Sequence, residues 1–254
     1  MTVSPTSPVS RAEVRGAVSS HELVKTYGSG PAAVRALDGV SVAFRAGELT
    51  AIMGPSGSGK STLLHCLAGL DRADAGTVHI GDAELTALSD NGLTRLRRDR
   101  VGFVFQSFNL LPTLSARDNI LLALRLAGRE VDREWFAAVV DTLGLGDRLR
   151  HKPAELSGGQ QQRVACARAL VGKPDVVFAD EPTGNLDSRT GAGVLEFLRT
   201  SVRELGQTVV MVTHDPVAAS YGGRVVLLAD GRVAGEIHDP TPESVLGVLS
   251  RLGA

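Results

Sequence analysis

The chain has 254 residues, 43% of them hydrophobic and 22% charged, with a formal net charge of −1. That is enough to bury a substantial core in one large domain, or a domain with a subdomain. The near-neutral balance gives no electrostatic case for nucleic acid as a partner. No apolar run approaches the roughly 18 residues of a membrane-spanning helix; the longest, Ile120 to Ala127, is broken by Arg125. Arg11 and Arg15 are followed by no apolar core, so no secretory leader is expected and the chain is expected in the cytoplasm. Cys66 and Cys166 are far apart, with no CxxC and no nearby histidine pair, which argues against a disulfide scaffold or a zinc site.

Residues 1–19 are rich in Ser, Pro and Thr and are expected to form a disordered tail, with one domain over 20–254. From His21 to Glu48 short β-like segments alternate with turns: His21 to Tyr27, Val34 to Leu37 and Val40 to Arg45. Gly28 to Pro31 reads as a turn and Asp38-Gly39 as a tight hairpin. This antiparallel sheet leads into an apolar strand, Leu49 to Met53. Further strands are expected at Gly76 to Ile80 and Val101 to Phe105, with a charged helix at Asp90 to Arg98 between them. Apolar residues then recur at helical spacing through Leu121 to Leu126 and Trp135 to Leu143, predicting a helical subdomain over 107–165 inserted into an α/β core. A helix after Gly158-Gly159 runs to about Val171 and is stopped at Lys173-Pro174. Val176 to Ala179 reads as a buried strand, Ser188 to Arg203 as an amphipathic helix and Gln207 to Thr213 as another strand. Val225 to Ala229 and Arg232 to Glu236 form a hairpin around Asp230-Gly231. The stripe Val245, Leu246, Leu249 and Leu252 predicts a last helix. Strands alternating with helices imply a mostly parallel sheet with its ligand at the carboxyl edge.

The stretch Gly54, Pro55, Ser56, Gly57, Ser58, Gly59, Lys60, Ser61, Thr62 lies between a strand and a helix, the context of a phosphate-binding P-loop. Glycines let successive N–H groups point inward as a nest for anionic oxygens, and the helix starting near Lys60 adds its dipole. Lys60 supplies charge to the β- and γ-phosphates, and the Ser61 hydroxyl is a ligand for Mg²⁺. Downstream, the apolar strand at Val176 ends in Asp180 and Glu181. If that strand neighbours the P-loop strand, both carboxylates lie beside the loop. Asp180 then holds Mg²⁺ through water and Glu181 accepts a proton from an attacking water. Adjacent carboxylates at a buried edge repel unless a cation sits with them.

Leu156-Ser157-Gly158-Gly159-Gln160 resembles the signature of ATP-binding cassettes, and the chain is identified as a member of the ABC transporter ATP-binding family. The resemblance covers about His21 to Gly235. It implies a P-loop NTPase (RecA-like) α/β core with an N-terminal antiparallel β-subdomain and an inserted helical subdomain. It further implies an ATPase with ATP and Mg²⁺ as ligands. In this family the signature of one subunit caps ATP held by the P-loop of the other, so a homodimer is implied. Ser157, Gly158, Gly159 and Gln160 then bind nucleotide across the interface. The same resemblance makes Tyr27 the residue that stacks on adenine and Gln106 a Mg²⁺ ligand that relays movement to a membrane partner. It makes Asn185-Leu186-Asp187 the loop that crosses the interface, and His214 the residue that contacts the γ-phosphate.

Two stretches, Phe103 to Leu114 and Asp180 to Asp187, are similar to the macrolide-export and lipoprotein-release branch, whose ATPase energises a separate membrane permease for export, lipoprotein release or mechanotransmission. The resemblance places the chain peripherally on the inner face of the cell membrane, through that permease. Phe108 to Pro112 is the expected permease contact. Two other readings share these motifs. One is the related cell-division ATPase; the other is a soluble ATPase of DNA maintenance or translation, whose usual coiled-coil or zinc insertions are missing here.

Overall fold

The computed structural model describes residues 17–252. Most of the expected tail, 1–16, lies outside the described residues, but Val18 and Ser19 are already strand. In chain order the elements begin with β1 (Val18–Tyr27), β2 (Val34–Phe44), β3 (Leu49–Met53), α1 (Lys60–Leu67), β4 (Ala75–Ile80) and β5 (Ala83–Glu84). There follow α2 (Asp90–Arg100), β6 (Val101–Phe105), α3 (Ala116–Leu126), α4 (Arg133–Thr142) and α5 (Gly158–Leu170). The chain continues through β7 (Val176–Asp180), α6 (Ser188–Leu205), β8 (Val209–Val212) and α7 (Pro216–Ala219), and ends with β9 (Arg224–Ala229), β10 (Arg232–His238) and α8 (Pro242–Leu252).

The first sheet is antiparallel, in the order β2-β1-β4-β5. Here one expectation is corrected. Val34 to Leu37 and Val40 to Arg45 are not two strands but one, β2, and Asp38-Gly39 is a bulge, not a turn. Leu23 pairs with Val40 and Val24 with Asp38, so Gly39, at φ +74°, is the extra residue. The hairpin signal loses because both flanking segments find the same partner, β1. Asp38 is also engaged from the other side: its N–H donates to the Gly231 carbonyl at 2.8 Å and its carboxylate accepts from Arg232 Nε at 2.8 Å.

The second sheet has the order β10-β9-β3-β8-β7-β6 and is parallel throughout except for β10. Its period-two pattern divides the core. Leu49, Ala51 and Met53 of β3, Val177 and Ala179 of β7, and Val209 and Met211 of β8 pack with α3, α5 and α6. Ile52, Val176, Phe178, Val210 and Val212 face the other way, onto α1 and the antiparallel sheet. Helices α3 and α4 and the start of α5 form the region between β6 and β7 expected to be helical. This arrangement is the P-loop NTPase fold with an added antiparallel sheet.

Strands β3 and β7 are not neighbours, contrary to the simplest route to the site; β8 lies between them. The P-loop meets Asp180 because α1 runs back across the sheet face, touching both β8 and β7. Among the described residues no helix is long and apolar enough to cross a membrane. Both cysteines are buried in helices, and burial pushes each thiol up to about 12.

Phe178 is fully buried at the centre of β7, within the layer that carries Asp180. Phe178→Ala should lower the unfolding free energy by about 3–5 kcal/mol, measured by urea denaturation with an unchanged dependence on denaturant.

Candidate active site

The P-loop is shaped by backbone meeting backbone. A Cβ on Gly54 would lie 1.9 Å from the Leu228 carbonyl oxygen, and one on Gly59, at φ +97°, would lie 2.3 Å from that of Ala36. Only glycine fits at either place. The β9–β10 turn completes the support, since the Gly231 N–H donates to the Ser58 carbonyl at 3.1 Å. That turn is Asp230-Gly231 with both φ values positive, the two-residue hairpin read from sequence. The Ser58 hydroxyl is buried with no hydrogen-bond partner. Lys60 Nζ donates to the carbonyls of Gly54 at 2.9 Å and Pro55 at 2.7 Å. Burial holds this ammonium below its ordinary pKa, against the opposing charge of Glu181.

At the carboxyl edge of the sheet, Ser61 Oγ donates to Asp180 Oδ1 at 3.3 Å. The other carboxylate oxygen lies 3.4 Å from His65 Nε2, one helical turn along α1. The hydrogen bond to Asp180 raises the His65 pKa against its partial burial. Glu181 leaves β7 at φ +47°, a conformation that costs a non-glycine residue of order 1–3 kcal/mol. Its Oε1 is 2.9 Å from Nδ1 of His214, which follows β8. Lys60, Ser61, Asp180, Glu181 and His214 therefore form one cluster.

The remaining expected residues stand elsewhere. Gln106 Nε2 donates to Asn185 Oδ1 at 3.2 Å, and Asn185 Nδ2 donates back to the Gln106 carbonyl at 3.1 Å. The glutamine thus lies against the 184–185 loop instead of the Ser61–Asp180 pair. Tyr27 is partly exposed, with its hydroxyl donating to Asp71 Oδ2 at 2.6 Å. Ser157 caps α5: its hydroxyl accepts from the Gln160 N–H, and its own N–H donates to Gln160 Oε1 at 2.9 Å. The nearest groups facing Gly158 and Gly159 are Leu186, Phe108 and Thr190. Among the described residues no hydrogen bond joins 157–160 to 54–62.

Several participants were missed from sequence. His65 was legible, because it lies four positions after Ser61 on the same helix face. Asp71, Gln162 and Arg168 carry no local signal. Arg168 is largely buried, and burial lowers its pKa. Its guanidinium donates to the carbonyls of Phe108, at 2.8 Å, and Asn109. Those two residues both have left-handed backbone, φ +49° and +50°, so the cation holds a strained turn at the expected permease contact.

The ABC transporter family model matches residues 37–184. The lipoprotein-releasing system ATP-binding protein LolD of Geobacter metallireducens is 47% identical over 219 residues, 85% of this chain and 96% of that protein. The macrolide export ATP-binding/permease protein MacB of Marinobacter nauticus is 42% identical over 91% of this chain, which spans 36% of that longer protein. The dimeric structure of the cassette MJ0796 of Methanocaldococcus jannaschii, in a post-hydrolysis state bound to ADP and Pi, superposes with a TM-score of 0.78. It is 42% identical, covering 88% of this chain and 99% of that one. The chain belongs to the ABC transporter family, as an ATP-binding and ATP-hydrolysing subunit of a transport system.

The residues fit the family's ligands. A cradle closed to any Cβ, lined by an unpartnered buried hydroxyl and a cation resting on replaceable carbonyls, suits a triphosphate. Among the described residues no group of three or more His, Cys, Asp and Glu is placed to hold a metal ion. Ser61 and Asp180 supply two hard oxygens, the set that suits Mg²⁺ when phosphates and water complete the shell. Gly59→Ala should weaken ATP binding at least about tenfold, or ~1.4 kcal/mol, in a fluorescent-nucleotide titration, with the fold retained by circular dichroism.

Proposed function

We propose that two copies of this chain close around two ATP molecules and drive a separate membrane permease from the inner face of the cell membrane. The observation that carries this reading is a mismatch within one chain. The cluster at Lys60 offers one phosphate site, while the capped N-terminus at Ser157 to Gln160 offers a second whose neighbours belong to neither the P-loop nor Asp180. A second copy supplies the missing half of each site, a reading supported by the dimeric, ADP- and Pi-bound structure of the cassette MJ0796 that the chain resembles.

In the closed pair, P-loop N–H groups between Ser56 and Thr62 and the Lys60 ammonium stabilise charge on the transferring phosphoryl group. Ser61, Asp180 through water, and Gln106 would hold Mg²⁺, which would supply further charge neutralisation there. Glu181 accepts the proton of a water whose oxygen bonds the γ-phosphorus as the bridge to the β-phosphate breaks. The 2.9 Å contact with His214 Nδ1 aims the Glu181 carboxylate, and His214 supports the γ-phosphate. Tyr27 stacks on adenine with its ring steadied by Asp71. Ser157, Gly158, Gly159 and Gln160 cap the γ-phosphate of the partner's nucleotide. Hydrolysis loosens the clamp, and movement of Gln106 and the helical region reaches the permease through Phe108 to Pro112.

The permease would be of the lipoprotein-release or macrolide-export kind, a reading supported by the match to 96% of the length of LolD. Leu111 is exposed and Phe108 half-buried beside it, an apolar contact held in place by Arg168.

Glu181→Gln should cut kcat by about 10²–10⁴-fold and accumulate an ATP-bound dimer in size-exclusion chromatography with light scattering. Wild-type turnover in that variant would remove Glu181 from its role. Phe108→Asp and Leu111→Asp should each abolish co-purification of the membrane partner while ATP binding by the isolated subunit stays within about twofold of wild type, a change of ~0.4 kcal/mol.

A further inference from the structure

Helix α5 presents Ser157 to Gln160 at its exposed end, yet its inner side reaches the hydrolytic loops of its own chain. Gln162 is completely buried. Its Nε2 donates to the Pro182 carbonyl at 2.7 Å and lies 3.4 Å from the Phe105 carbonyl. Pro182 directly follows Glu181, and Phe105 directly precedes Gln106. One amide therefore bridges the backbone next to two of the site's working side chains.

The bridge is expensive for a mere packing role. Gln162 Oε1 is buried with no hydrogen-bond partner, and its neighbours on α5 include the fully buried Val164 and Ala165. An unsatisfied buried acceptor carries a desolvation cost that an apolar side chain of the same shape would avoid. What the amide provides is a hold on a strained segment. Glu181, at φ +47°, is fixed on its own strand side by its N–H to Val212 O at 3.0 Å, and its carbonyl accepts from the Gly184 N–H at 3.0 Å. The Pro182 carbonyl is the next acceptor along, and Gln162 takes it.

We propose that Gln162 is a positioning residue for ATP hydrolysis. Its amide fixes Pro182, and through it the direction of the Glu181 carboxylate, and ties that segment to the strand end that bears Gln106. It makes the signature helix part of the hydrolytic site of the same chain as well as a cap for the partner's nucleotide. The proposal rests on Glu181 as the proton acceptor.

Gln162→Met keeps the length and most of the volume but removes the amide. In the full chain with Mg²⁺ and ATP, kcat should fall at least about tenfold, because small misplacements of a reacting group are costly. The half-saturating ATP concentration should stay within about twofold of wild type. In the Glu181→Gln background the same change should produce no further loss of the residual rate, which a defect in packing or pairing would. Wild-type kcat in a folded Gln162→Met protein, or an equal loss in both backgrounds, would overturn the proposal. Gln162→Asn, which keeps an amide too short to reach Pro182, should show the same fall in kcat; failure of both variants to fold would leave Gln162 a structural residue and also overturn it. If Glu181→Gln alone turns over normally, the underlying reading of Glu181 fails instead, whatever Gln162 does.

Discussion

The site depends on one contact that no side chain makes: loop backbone pressed against strand backbone. Gly54 abuts the Leu228 carbonyl and Gly59 the Ala36 carbonyl, each closer than any Cβ would allow. These two approaches, with the Gly231 to Ser58 hydrogen bond, pin the phosphate loop between β9 and the antiparallel sheet. The loop's N–H groups are thus fixed before any ligand arrives, which is the condition for electrostatic stabilisation without reorganisation. The antiparallel sheet is therefore part of the site, because β2 supplies the Ala36 carbonyl and Asp38 holds the hairpin that supports Ser58.

Much of this was legible in the sequence where the physics is local. Leu49 to Met53 reads as a buried strand because all five residues are apolar or small, and all five are buried. Asp230-Gly231 reads as a tight turn because few other pairs tolerate two positive φ values. Asp38-Gly39 carries the same local signal and is a bulge, because pairing with β1 outweighs turn chemistry. The strand order was not legible: the placement of Asp180 was conditional on β3 and β7 being neighbours, and the contact is made through α1 instead. Gln106 was singled out through the family resemblance, but its partner, Asn185, comes from seventy-nine residues away and leaves no mark near it. Arg168 and Gln162 lie in an ordinary-looking helical stretch; only the folded chain shows them bonded to loop carbonyls.

Helix α5 gathers these long-range ties. Its N-terminus carries the capped signature, Gln162 holds the backbone after Glu181, and Arg168 holds the left-handed turn at Phe108 and Asn109. A rigid helix with such contacts moves as a unit, since each bond it would break is buried or charged. On the proposed mechanism, nucleotide capping, hydrolysis and the apolar tip at Leu111 are thus attached to a single rod.

The resting position of Lys60 has a thermodynamic consequence. Its ammonium already satisfies two donors with the carbonyls of Gly54 and Pro55. In the proposed cycle, phosphate oxygens that take Lys60 as a donor displace those acceptors, so affinity reflects an exchange of partners and not the full attraction between opposite charges. The same exchange runs in reverse on departure: the cation is re-sheltered as the spent nucleotide leaves, and the loop is spared a naked charge. A motor that must discard its product on every stroke is well served by a grip that has somewhere to rest.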